Sequence, residues 1–320
     1  TSDTVLEFSA KSTDSRFRGD LQVNFLDADL DRGDSNFDLF GTPNVRLVSA
    51  EAVNILGGRL YASKSYTTFM DHRDIPVSLS SETTAAGSVY RLQPQLGYRR
   101  DYDSGFSMAT SIELGPNDDY VLVSTDDVRL QRFPDLVVRC QYKSSGDANT
   151  GNLFHVAGLL RQMGYEELDA TEHFVTGWGV CCMSEIWLGG NRKLQLGCVG
   201  GQGVGAYIFG FQGMDDTSRP AAGPVGGELQ TLDNLGAYIA CRFLWPAIDG
   251  RTHCGYGFAN AETIVGVADG VRVVHNAWVN HFWHVTQVLS MGVEYHYGVR
   301  ELASGVGGDN HRMMVVTQLQ

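Results

Sequence analysis

The sequence predicts an all-β protein, an up-and-down antiparallel β-barrel of about sixteen strands that spans a membrane. Residues 1–320 are expected to form this barrel as one domain. Three observations predict it: the composition is rich in glycine and poor in proline, polar and apolar residues alternate with a period of two, and the connections alternate between short and long.

The composition favours strands over helices. The chain has 38 glycines and 8 prolines, and only 19% of its residues are charged, which is unlike a soluble α/β enzyme of this length. The formal net charge of −13 argues against nucleic acid as a partner, because phosphate binding needs a basic surface. No run of 18 apolar residues occurs, so no transmembrane helix is expected.

Alternation is clear in segments of about ten residues. In 134–143 the polar face carries Asp135, Val137, Arg139, Gln141 and Lys143, and the apolar face carries Leu136, Val138, Cys140 and Tyr142. Segments 91–99, 236–245 and 290–297 alternate in the same way. In a membrane barrel the apolar face meets lipid and the polar face lines the lumen. Aromatic residues close the apolar faces, as in an interfacial girdle: Tyr98, Tyr142, Trp245 and Tyr297.

About fifteen strands are expected in this chain, and the even strand number of bacterial barrels predicts one more before them. The expected strands are 3–12, 17–27, 43–52, 57–69, 88–99, 105–114, 134–144, 151–163, 173–187, 191–200, 235–246, 251–262, 271–283, 286–298 and 309–320. The connections expected to be long, and external, are 28–42, 70–87, 115–133, 164–172, 201–234, 263–270 and 299–308.

Polar-face residues are the candidates for pore lining and selectivity. They are Arg46, Arg91, Gln93, Gln95, Arg139, Gln141, Arg161 and Arg242. The strongest are Arg91, Arg139 and Arg242, which lie in mid-strand beside neutral donors. A basic ladder would lower the barrier for anions. The alternative is that each arginine pairs with a loop carboxylate and holds that loop in place.

Loop 70–87 is the candidate constriction loop, folded into the lumen, with Asp71, Arg73, Asp74 and Glu82 at the constriction. The alternative is an ordinary external loop. The glycine-rich stretch 200–205 opens no helix and lacks the lysine of a phosphate-binding loop, so it is expected to be the flexible start of a long loop.

No motif indicates catalysis or a cofactor. The nine histidines show no metal-ligand spacing, and no nucleophile elbow occurs. The six cysteines show neither zinc spacing nor a convincing disulfide framework, and they are expected to be small apolar fillers. Cys140, Cys254 and Asn276 are expected on lipid-facing positions, which is unusual for these residue types. Neither an enzyme nor a metal site is predicted.

Several motifs, taken in their order along the chain, resemble the DcaP-like family of trimeric outer-membrane porins. They are Gly58–Ala62, Thr67–Asp71, Pro134–Arg139, Gly200–Ile208, Gly255–Ala259, Gly292–Leu302 and Gly308–Arg312. The resemblance spans nearly the whole chain. It implies sixteen strands, a homotrimer, and a pore suited to small organic anions such as dicarboxylates.

The expected function is therefore that of a porin in the outer membrane of a Gram-negative bacterium. It would be a passive diffusion channel for small hydrophilic solutes, surrounded by lipid and lipopolysaccharide, with no cofactor. Two alternatives stay open: a soluble β-rich carbohydrate-binding protein, or an outer-membrane barrel enzyme whose catalytic residues are scattered along the chain.

Overall fold

The strands of the protein form a single wall that carries two segments on its inner side. A computed structural model describes residues 4–11, 17–25, 44–71, 76, 85–115, 128–144, 151–211, 221–225, 228–263, 270–286 and 289–319. Within these ranges, no helix is long and apolar enough to cross a membrane.

Eighteen strands and two single-turn 3-10 helices are found in the described ranges. The strands are β1 (Thr4–Lys11), β2 (Phe17–Phe25), β3 (Asn44–Ile55), β4 (Gly58–Tyr66), β5 (Leu92–Asp101), β6 (Phe106–Glu113), β7 (Val128–Leu130), β8 (Asp135–Lys143), β9 (Leu153–Glu166), β10 (Glu172–Gly189), β11 (Arg192–Gln202), β12 (Ala222–Val225), β13 (Glu228–Thr231), β14 (Asp233–Trp245), β15 (Gly250–Ala261), β16 (Val271–His284), β17 (Leu289–Leu302) and β18 (Gly307–Leu319). The 3-10 helices are Gly205–Tyr207 and Pro246–Ile248.

The wall is an up-and-down antiparallel sheet, as predicted. Its strand order is β1-β2-β3-β4-β5-β6-β8-β9-β10-β11-β14-β15-β16-β17-β18, so each strand pairs with the next one along the chain. The short strand β7 pairs with β9 off this path, and β12 and β13 form a separate hairpin. Among the described residues the sheet is not closed between β1 and β18. A further strand at this gap stays a prediction.

The alternation of side chains follows the predicted faces. On β8, Val137 and Gln141 are buried on the inner side, whereas Leu136 and Val138 are 48% and 52% exposed on the outer side. Outward apolar residues recur on the neighbouring strands: Leu96, Met108, Ile112, Val156, Leu160, Trp178, Val180, Leu235, Ile239, Val279 and Val293. A soluble sandwich would bury these faces between two packed sheets, and the described wall strands form only one sheet.

Two connections that were expected to be long are tight. Strands β9 and β10 extend to Glu166 and Glu172, and β17 and β18 extend to Leu302 and Gly307. The loops predicted at 164–172 and 299–308 are therefore short, because the strands continue into residues that were predicted to lie in loops.

The strands predicted at 57–69 and 88–99 are longer than the wall strands β4 and β5 that the structure contains. β4 ends at Tyr66 and β5 begins at Leu92, and the residues between these points that the structure describes leave the wall for the interior. The predicted boundaries were wrong because an extended segment inside the barrel has the same local sequence pattern as a strand in its wall.

Candidate functional site: the barrel lumen

Two segments from the connections fold onto the inner side of the wall. The first inner segment comprises residues 67–71 and 85–91, from the β4–β5 connection, and the second comprises residues 203–211, from the β11–β12 connection. Most of their side chains are fully buried, including Phe69, Tyr207 and Phe211, each 0% exposed. The part of the lumen that they occupy is closed to solvent.

Glu113 at the end of β6 anchors the start of the first inner segment. Its carboxylate accepts hydrogen bonds from the Thr67 hydroxyl at 2.5 Å and from the Thr68 backbone N–H at 2.8 Å. Ser111 at 2.6 Å and the Gln93 amide also donate to it. A carboxylate that is 0% exposed needs such donors, since an unsatisfied buried charge is very costly.

Strand β8 holds the same segment a few residues further on. The Arg139 guanidinium donates to the Met70 carbonyl at 2.6 Å, and the Gln141 amide donates to Asp71 Oδ2 at 2.7 Å. Asp71 is only 3% exposed. The structure therefore brings together three residues that the sequence singled out: Asp71, Arg139 and Gln141.

The far end of the first inner segment contacts β14, β15 and β16. The Ala86 backbone N–H donates to Asn276 Oδ1 at 2.8 Å. Gly87 has a φ of +79° and lies so close to the backbone of Ala237 and Phe258 that a Cβ there would overlap both. The described parts of the segment thus contact β6 and β8 near residue 70, and β14, β15 and β16 near residue 87. The prediction that Asn276 faces lipid was wrong, because its amide is 5% exposed and faces inward.

The second inner segment pairs with the first as a short antiparallel ladder. Val89 and Ile208 form a β-bridge. The Phe209 N–H donates to the Ser88 carbonyl at 2.8 Å, and the Tyr90 N–H donates to the Tyr207 carbonyl at 2.9 Å. The expectation of a flexible loop at 200–205 was wrong. These glycines allow close packing, and a Cβ on Gly203, at φ +77°, would overlap the Met163 side chain.

A buried cluster around Asp135 on β8 fixes the second inner segment to the wall. The Tyr207 hydroxyl donates to Asp135 Oδ2 at 2.6 Å, and the Gln131 amide donates to Oδ1 at 3.0 Å. Arg161 lies 3.6 Å from Asp135 and donates to the Gly203 carbonyl at 3.1 Å. Burial, with the nearby Asp135 carboxylate, raises the pKa of the Tyr207 phenol well above its usual value, so the phenol stays a donor.

The predicted pore-lining residues fall into two groups in the structure. Those that are at most 7% exposed, under the inner segments, are Gln93, Gln95, Gln141 and Arg161. Those that are half-buried are Arg91, Arg139 and Arg242. Arg46 lies in β3, but its side chain is outside the described part of the chain, as are Arg73, Asp74 and Glu82 of the predicted constriction.

The charged side chains of the described lumen differ in how fully they are hydrogen-bonded. The carboxylates of Asp71, Glu113 and Asp135 are all buried, and each accepts hydrogen bonds from neighbouring donors. Arg242 is half-buried and has one terminal nitrogen, Nη2, without a hydrogen-bond partner. Lys193 and His253 are its register partners on the adjacent strands. Lys193 pairs with Glu185, so Arg242 itself supplies the positive charge at this point of the inner face.

Glu113 and Tyr207 are the site residues that the sequence did not reveal. Glu113 continues the polar face of β6, yet nothing local indicates that it binds the chain near Thr67. The apolar run 206–211, placed in a long glycine-rich connection, was the available signal for a buried segment. In the described ranges, no group of three or more histidine, cysteine or acidic side chains could hold a metal ion.

Comparison with known proteins gives matches in structure and none in sequence. No family model and no curated protein matches the chain. The outer membrane channel DcaP of Acinetobacter baumannii superposes with a TM-score of 0.78 at 18% identity, covering 98% of this chain and 83% of that one.

Two further solved structures are more distant. An anion-selective porin from Comamonas acidovorans gives a TM-score of 0.58 at 8% identity, over 99% of this chain and 88% of that one. The trimer form of OmpT from Vibrio cholerae gives 0.56 at 11% identity, over 99% and 90%. The resemblance that the motifs indicated is confirmed at the level of the fold, and the chain has the β-barrel fold of the DcaP outer membrane channel.

Proposed function

We propose that the chain is a porin of the outer membrane of a Gram-negative bacterium, a passive diffusion channel for small hydrophilic solutes and not an enzyme. One observation carries the proposal: a wall with an apolar outer face and a polar inner face has its interior narrowed by two inner segments. Such a wall suits lipid and lipopolysaccharide outside and water inside. The structures that share the fold are named as outer membrane channels and porins.

The pore is proposed to favour small organic anions such as dicarboxylates. The net charge of −13 does not oppose this, because many acids lie in the long connections, where salt screens them over about 10 Å. Near the constriction the described carboxylates are buried among donors, whereas Arg91, Arg139 and Arg242 stay half-buried. Fixed positive charge at a narrow point lowers the barrier for anions. The Comamonas porin, which shares the fold, is described as anion-selective.

The channel is further proposed to be a homotrimer, since OmpT, which shares the fold, exists in a trimer form. Light scattering corrected for bound detergent measures the oligomeric state directly. A mass of three subunits supports this assembly, and a mass of one subunit contradicts it.

Liposome swelling tests the channel itself. Purified protein in liposomes should let small sugars enter without any energy source, at rates that fall steeply as the sugar grows, because the inner segments narrow the lumen. Boiled protein serves as the control. Absence of swelling from a heat-modifiable, folded barrel would contradict the proposed function.

A further inference from the structure

Four of the six cysteines stand opposite one another on neighbouring strands. Cys182 on β10 is the register partner of Cys198 on β11, and Cys241 on β14 is the partner of Cys254 on β15. Opposite residues in antiparallel strands have Cα atoms about 4.5–5.5 Å apart. Disulfides span about 4.4–6.8 Å between Cα atoms, so the Cα spacing of register partners is compatible with a disulfide in both pairs.

The side chains of each pair also share a face. Register partners point to the same side of a sheet, and these four point outward, like Val180 and Ile239. The Cys198 thiol is a neighbour of the Cys182 thiol, and the Cys241 thiol is a neighbour of the Cys254 thiol. Each pair therefore has both thiols on one face of the sheet, as a bond between the sulfur atoms requires.

The other two cysteines do not face a cysteine across the sheet. Cys181 is 1% exposed on the inner face, and its register partners are Ala157 and Val199. Cys140 lies opposite Met108 and Val156. Six cysteines scattered over fifteen wall strands would seldom place even one pair in register, and here two pairs are in register. A role as apolar fillers does not explain this placement.

We propose that Cys182–Cys198 and Cys241–Cys254 are cross-strand disulfides. The oxidant is a disulfide, either of a thiol oxidase met on export or of glutathione. One cysteine thiolate attacks it to form a mixed disulfide, and the second cysteine displaces the oxidant's sulfur. Each pair loses two electrons and two protons, and the oxidant leaves as two thiols. Only the oxidising export route rests on the proposed function.

The two proposed disulfides involve the strands on either side of the second inner segment. The second inner segment lies in the connection between β11 and β14. Cys198 would bond β11 to β10, and Cys241 would bond β14 to β15, so each strand that flanks this connection is fixed to its other neighbour. The disulfides would hold both ends of the connection that carries the inner segment.

Thiol counting tests the proposal. Reduced and denatured protein is refolded in detergent with reduced and oxidised glutathione, then alkylated in denaturant and analysed by mass spectrometry. All six cysteines are free thiols in the structure. After refolding with glutathione we expect alkylation of two cysteines, Cys140 and Cys181, and of all six after prior reduction. A folded, heat-modifiable barrel with six alkylated cysteines would overturn the proposal, as would bonds that join other cysteines.

Serine variants give the matched controls. Cys198→Ser should free only Cys182, and Cys254→Ser should free only Cys241, whereas Cys140→Ser should leave Cys181 as the one alkylated residue. Protein taken from bacterial membranes and alkylated without reduction tests the compartment separately. Two alkylated cysteines there support both proposals. Six there, with two after refolding, support the disulfide geometry and contradict the outer-membrane location.

Discussion

The Tyr207 hydroxyl donates a 2.6 Å hydrogen bond to Asp135 Oδ2, so a residue of the second inner segment is fixed to strand β8 of the wall. Both side chains are 0% exposed. Hydrogen bonds to a charged acceptor, shielded from water, are worth more than those at a surface. The contact ties the interior of the barrel to its wall at a point 72 residues away along the chain.

Removing this hydroxyl should destabilise the protein. Tyr207→Phe keeps the ring but leaves one oxygen of Asp135 without a donor, at a cost of about 1–3 kcal/mol. The measurement is the free energy of unfolding from urea titration in detergent. Tyr98→Phe is the control, because its hydroxyl donates to the Leu56 carbonyl at an exposed turn. Equal effects of the two substitutions would contradict the anchoring role of Tyr207.

Breaking the buried pair of Arg161 and Asp135 should lower the free energy of unfolding more than Tyr207→Phe does. Arg161→Gln leaves the Asp135 charge without its cation, and breaking a buried pair in this way costs about 3–5 kcal/mol. Arg132→Gln breaks the pair with Glu172 at the surface, where about 0–1 kcal/mol is expected. Unfolding free energies of both variants are compared in the same detergent. A loss below 1 kcal/mol for Arg161→Gln would show that this arginine is dispensable for the inner segment.

Substitution of Gly87 should change the size limit of the pore. Gly87→Ala places a methyl group against the backbone of Ala237 and Phe258, so the first inner segment should move away from the wall. Larger sugars should then enter liposomes faster than they do through the unmodified channel. Gly305→Ala is the control, since Gly305 has a φ of +80° and open space around it. If both variants keep the original size limit, the first inner segment does not set it.

The sequence predicts the wall strands well, because each wall residue contacts only its neighbours in the sheet and the medium on its own side of the wall. On β8 the alternation of Leu136 and Val138 with Val137 and Gln141 decides the face of every side chain. The periodicity therefore sufficed for the wall strands, within a few residues at their ends.

The interior could not be predicted in the same way. The Thr67 hydroxyl donates a hydrogen bond to Glu113, 46 residues away, and the Ala86 N–H donates one to Asn276, 190 residues away. These contacts join residues that are far apart along the chain. Local pattern contains no information about them, so the path of both inner segments had to come from the structure.

Removing the Arg242 side chain should weaken the binding of an anionic solute in the pore. Arg242 is half-buried on the inner face, and we expect its guanidinium to attract a carboxylate in the pore. A dicarboxylate should reduce the chloride current, and Arg242→Ala should weaken this block about tenfold, for a loss of about 1.4 kcal/mol. Arg100→Ala, at the exposed end of β5, should leave the block unchanged. Equal block in all three proteins would exclude Arg242 from solute binding.

The reversal potential under a salt gradient tests the proposed anion preference most directly. The unmodified channel should give the sign of anion selectivity. Arg139→Glu, which reverses a half-buried charge on the inner face, should shift the potential toward cations, and Arg100→Glu, the same charge change at an exposed position, should not. A cation-selective unmodified channel, or equal shifts from both variants, would contradict the proposal that inward-facing arginines set the selectivity.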